Sequence, residues 1–129
     1  MIFSWAAVEF NIQFCVIAEF RRHYNGKTSK FLSRKMRFKE QVNFLLDNDD
    51  LTEVERSHIM QHRDDRVKLF HKLTETRFLL SPSDPEQDEK MQNAIKAKKD
   101  SDHVRFKVTN KIGFSREVVT EIFKLALDI

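Results

Sequence analysis

The chain has 129 residues, one domain's length, and carries a net charge of +3 with 40% hydrophobic and 33% charged residues. That balance excludes disorder, which needs few apolar residues, and the length excludes a TIM barrel of about 250 residues. With only 2 Gly and 2 Pro, it also excludes the turn-dense all-β sandwiches and barrels. Neither a P-loop nor a dinucleotide-binding fingerprint finds enough glycine in one place.

The first segment, about Phe3 to Tyr24, spaces Trp5, Val8, Ile12, Cys15 and Glu19 by threes and fours, with Ala6, Phe10, Phe14 and Ile17 on an adjacent stripe. A helix apolar over most of its girth is central or packed on two sides. Glu9, Asn11, Gln13 and Glu19 interrupt the apolar run, so it is expected neither as a signal peptide nor as a membrane span. Cys15 is the single cysteine. It excludes a disulfide framework and a Cys-rich zinc site, is expected as a small core residue, and fits the reducing cytoplasm. Asn25-Gly26 tolerates the left-handed conformation of a helix C-terminus.

A second helix is predicted over about Lys30–Leu46, capped by Thr28 or Ser29, with Phe31, Phe38, Val42 and Leu45 as its stripe. Asp47-Asn48-Asp49-Asp50 ends it, because short polar side chains compete for backbone hydrogen bonds. A third begins at the capping box Thr52-Glu53-Val54-Glu55 and runs to about Thr76. Ile59, Leu69, Phe70 and Leu73 are its expected core contacts, and Arg66 falls on the same side. Ser81-Pro82-Ser83-Asp84-Pro85 is a connector. Beyond it two readings stay open. Asp84 as cap, Pro85 at the first position and late lysines spell a helix to about Lys98. Alternation of Val104, Phe106 and Val108 spells instead a small hairpin near residues 94–108. A last helix starts at Ser115 and presents Val118, Ile122, Leu125 and Ile129. The expected architecture is all-α: a single domain over 1–129, an up-and-down bundle of four or five helices, with or without that hairpin.

Three constellations carry chemistry. From Arg21 to Lys39 the chain has eight cations and no acid: Arg21, Arg22, Lys27, Lys30, Arg34, Lys35, Arg37 and Lys39. Such a block can hold phosphates and release counterions, or be an ordinary solvated face. His58 and His62, four apart on one helix face with Asp65 nearby, have a spacing that zinc sites use. The Glu of an H-E-x-x-H protease is absent, and no metal or cofactor is expected. The third is Arg66-Val67-Lys68-Leu69-Phe70-His71. A guanidinium can hold a scissile phosphate, and an imidazole can move a proton at neutral pH. Together they could cleave RNA through its own 2′-hydroxyl without metal. Five residues put the two about 140° apart on an ideal helix, so a kink or two copies about a two-fold axis would be needed to unite them.

This layout resembles the HEPN superfamily of small helical prokaryotic proteins, many of them RNases of toxin–antitoxin and phage-defence systems, whose hallmark is an Arg, four to six residues, then His on a late helix. Trp5-Ala6-Ala7-Val8-Glu9 is similar to the first helix of small members, Phe38 to Leu46 to their second, and Phe114-Ser115-Arg116-Glu117-Val118 to the entry of their closing helix. Two positions depart from the pattern: Val67 stands where a polar residue usually follows the Arg, and Lys72 where Gly often follows the His. The resemblance implies a metal-independent endoribonuclease, acting as a homodimer, with Arg66 and His71 catalytic, RNA as substrate and an antitoxin as a protein partner. The alternative is a non-catalytic dimerisation or interaction module that binds a protein or nucleic acid. The 12 Phe, about double an ordinary frequency, fit such a surface.

Overall fold

A computed structural model describes the backbone of residues 2–74 and 85–127 and the side chains of residues 5–68 and 88–127. Its six helices are α1 (Ile2–Arg21), α2 (Gly26–Arg34), α3 (Phe38–Asp47), α4 (Glu53–Thr74), α5 (Pro85–Ile112) and α6 (Arg116–Leu127). The all-α expectation holds among the described residues. The helix count exceeds the four or five expected, and the hairpin alternative is corrected, because residues 94–108 lie inside α5.

α1 is the hub and packs against each of the other five helices. Trp5, Val8, Ile12, Phe14, Cys15, Val16, Ile17 and Ala18 are all buried, as a helix apolar over most of its girth requires. Full burial of a side chain such as Ile12 or Ile17 stabilises the fold by about 2 kcal/mol. Asn11 lies in the same buried surface, and its Nδ2 donates to Ser101 Oγ at 3.0 Å and to Asp102 Oδ1 at 2.8 Å.

α5 is a helix because its buried positions among the described residues are Lys90, Ala94, Ala97, Ser101, Val104 and Val108, stepping by threes and fours. Val104 and Val108 satisfy strand alternation and helical spacing equally well. Phe106 separates the two readings, since a helix turns it away from that face, and it is 67% exposed. α4 and α5 run antiparallel. Glu55 meets His103 (3.4 Å), His58 meets Asp100 (2.6 Å), and Asp65 meets Asn93 (3.0 Å), one partner rising in number as the other falls.

The second predicted helix is two. α2 ends at Arg34 and α3 starts at Phe38, with Met36 N–H bonded to Ser33 O and Gln41 Nε2 donating to Ser33 O. The break lets Phe38 reach Trp5, ring centroids 4.9 Å apart, and lets Phe44 stack on Phe20 at 4.9 Å. It also takes Phe31 out of the expected stripe, leaving it 58% exposed. The cap of α2 is Asn25, whose side chain accepts from Thr28 N at 2.8 Å, in place of Thr28 or Ser29. Asn25 is extended, so the pair does not supply a left-handed turn. Gly26 is needed for closeness: a Cβ there would lie 2.1 Å from Glu121 Oε1 and 3.2 Å from Leu125 Cδ1 on α6.

Two other local signals hold. The Thr52–Glu55 box is reciprocal, with Glu55 N–H on Thr52 Oγ1 (3.2 Å) and Thr52 N–H on Glu55 Oε1 (3.0 Å). The Asp47–Asp50 stop is a Schellman turn: Asp49 takes the left-handed conformation at φ 60°, Asp49 N–H bonds Leu46 O and Asp50 N–H bonds Leu45 O. No helix among the described residues is long and apolar enough to cross a membrane. The side chains of Leu69, Phe70 and Leu73, expected in the core, are not among those described, and Ile129 and the 81–84 part of the connector lie outside the described residues altogether.

Candidate nucleic-acid interface

α4 carries the Arg66 and His71 positions. Its buried stripe runs through Glu55, Ile59, His62 and Asp65, and the next position round the helix, Arg66, is exposed. The expectation of Arg66 on the core side is therefore corrected: the stripe passes through Asp65, and Arg66 sits at its edge. Its guanidinium carbon lies 5.2 Å from the centroid of the buried Trp5 ring, a cation–π contact that orients the group without consuming its hydrogen-bond donors. The His71 side chain lies outside the described residues. The helix is unbroken from Glu53 to Thr74, so no kink carries positions 66 and 71 to one face.

The histidine pair of the possible zinc spacing is divided. His58 Nδ1 pairs with Asp100 Oδ2, whereas His62 is fully buried edge-on to Trp5, ring centroids 5.6 Å apart. Neither ring nitrogen of His62 has a hydrogen-bond partner among the described residues. Burial holds its pKa below the ordinary histidine value, against the pull of the Asp65 charge. Asp65 accepts from Gln61 Nε2 and Asn93 Nδ2. Among the described residues no three His, Cys, Asp or Glu side chains converge on a metal position.

The cation block divides by role. Arg21 is committed to α6, its Nε and Nη2 reaching the Glu121 carboxylate at 3.3–3.4 Å. Arg22 Nη1 lies 3.4 Å from Glu19 Oε2, and Arg37 Nε lies 4.0 Å from Glu40 Oε1. Lys27, Arg34, Lys35 and Lys39 are exposed, and Lys30 is half-buried. α2 presents its cations because its buried face is Gly26, Ser29 and Ser33, all small. Positions 27, 30, 31, 34 and 35 fall within an arc of about 140° on the opposite side. α2 follows the end of α1, and Phe38 brings the chain back to Trp5 near the start of α1. The basic track thus leads from the last turn of α1 toward the Trp5–Arg66 end.

Sequence reasoning missed two exposed aromatics in this track, Phe31 and Tyr24, the latter 49% exposed. The break between α2 and α3 and the small buried face of α2 expose Phe31, and the turn that ends α1 exposes Tyr24. It also missed an ionic cluster that joins an exposed ammonium to two buried acids, in which Lys111 Nζ lies 3.2 Å from Glu19 Oε1 and 2.5 Å from Asp50 Oδ1. No protein-family model, curated protein or solved structure matches the chain.

Proposed function

We propose that this protein binds RNA and cleaves it as a metal-independent endoribonuclease of the HEPN type, acting as a homodimer. The observation that carries the reading is the Arg66 guanidinium, exposed yet oriented over Trp5 at the end toward which the basic track runs. Arg66 holds the scissile phosphate and offsets its developing charge. His71 moves a proton: the ribose 2′-oxygen, losing its hydrogen, attacks phosphorus, the 5′-oxygen leaves and takes a proton, and a 2′,3′-cyclic phosphate results. On an unbroken helix the two positions meet only if two copies contribute to one cleft. The cytoplasmic toxin–antitoxin or phage-defence setting, with an antitoxin as partner, belongs to the same proposal.

The test is cleavage of labelled RNA by the full chain in the presence of EDTA. Arg66→Ala and His71→Ala are expected to lose at least about a hundredfold in rate while keeping wild-type helicity and stability. Unchanged cleavage in either variant rejects the assignment.

A non-catalytic interaction module is the second reading. Its specific support is the set Met91, Ile95 and Phe106, all exposed and within about 60° of one another around α5. Tight self-association without any turnover of RNA favours it.

A further inference from the structure

We infer that the outer face of α2 is a binding site for single-stranded RNA, with Phe31 and Tyr24 as stacking platforms and Lys27 and Lys35 as phosphate contacts. The inference rests on the RNA reading above and names the form of RNA that this face selects.

α2 buries only Gly26, Ser29 and Ser33, and Gly26 lies directly against the Glu121 and Leu125 side chains of α6. A helix docked by glycine and serine has no structural use for an outward phenylalanine, yet Phe31 is 58% exposed. The Lys35 ammonium lies 5.0 Å from the Phe31 ring centroid, so an aromatic plane and a cation are already side by side. Tyr24, exposed, ends the turn after α1 just before α2, with its ring 6.5 Å from that of Phe20. Lys27 and Lys35 are exposed on this face, and their charge is complementary to a polyanion.

The aromatics decide which polyanion. Bare cations meet duplexes, single strands and acidic surfaces alike, because they read charge. Exposed rings contribute only where a base is free to leave its stack and lie on them. Duplex bases are stacked on each other, and acidic proteins and lipid headgroups offer no bases. The pairing of rings with cations therefore favours unpaired nucleotides, which is also where a 2′-oxygen is free to line up for attack.

Fluorescence anisotropy of the full chain with a labelled oligouridine, a base-paired RNA hairpin of equal charge and a heparin competitor tests this. Phe31→Ala, at a surface position whose loss leaves the fold intact, is expected to weaken oligouridine binding about tenfold, with hairpin affinity and salt slope unchanged. Phe31→Trp is expected to retain or strengthen it. Lys27→Ala and Lys35→Ala are expected to weaken both RNAs and lower the salt slope by about one each. Equal affinity for hairpin and oligouridine, or no effect of Phe31→Ala, overturns the inference, as does capture by anionic lipid vesicles in preference to RNA. Cleavage separates the two proposals. A chain that binds single strands through Phe31 but never cleaves sinks the Arg66–His71 assignment alone. A chain that cleaves but ignores Phe31 sinks this one alone.

Discussion

His62 lies edge-on to Trp5 with both ring nitrogens buried and, among the described residues, unbonded. A buried polar group without a partner is costly, and the cost grows if the imidazole gains a proton. Burial lowers the His62 pKa in the folded state, so the unfolded chain binds that proton more readily. The stability linked to His62 is complete above its ordinary value of 6.5 and is lost as pH falls from there toward the folded value. Urea midpoints should fall between about pH 7 and pH 5, with a slope of at most about 1.4 kcal/mol per pH unit from this group. His62→Leu should flatten that slope. An identical pH profile in the variant would contradict the assignment.

The Lys111 ammonium joins two acids that are themselves buried, Glu19 at 6% exposure and Asp50 at 0%. Burial pushes the Asp50 carboxyl up, and Glu19 adds to that, while Lys111 opposes it. Burial alone would lower the Lys111 pKa, but its bonds to Asp50 and Glu19 win and raise it. The Lys111 contribution is therefore complete below its ordinary 10.5 and is lost as pH rises through the raised folded value. Lys111→Met leaves two facing acids uncompensated and should cost about 2–3 kcal/mol at pH 7. Adding Asp50→Asn should recover most of that loss, as measured by chemical denaturation. A double variant no more stable than Lys111→Met would show that the ammonium acts by packing alone.

Gly26→Ala forces its new methyl into the Glu121 carboxylate. That carboxylate is the flexible end of a side chain, so it swings away and gives up the fork from Arg21. The pair is partly exposed, which limits its worth to about 1 kcal/mol. Gly26→Ala should lose about that much, and in a Glu121→Ala background the same change should cost far less. Equal losses in both backgrounds would place the strain at Leu125 instead.

Cys15 is fully buried, and burial pushes its thiol well above the ordinary range. The thiolate is the reactive form, so the native chain should react with a thiol reagent only as fast as it unfolds. Labelling should become rapid in denaturant. Fast labelling under native conditions would contradict the burial of this residue.

The sequence by itself determined the parts that a helix settles within one or two turns. The Thr52–Glu55 box, the stop at Asp47–Asp50, Pro85 at the first position of α5 and the core stripe of α1 are all set by neighbours three or four residues away. Cys15 and the Val118–Ile122–Leu125 stripe belong to the same class. Tertiary structure decided the rest, because those choices depend on partners far along the chain. Phe38 meets Trp5 across 33 positions, and that contact breaks the predicted second helix and turns Phe31 outward. Lys111 joins Asp50 across 61 positions, and no local pattern could separate that lysine from the others. His62 looked like a surface ligand until α1 covered it. Spacing reports which residues share a face of a helix; which face is covered, and by what, is set by the packing of the other helices.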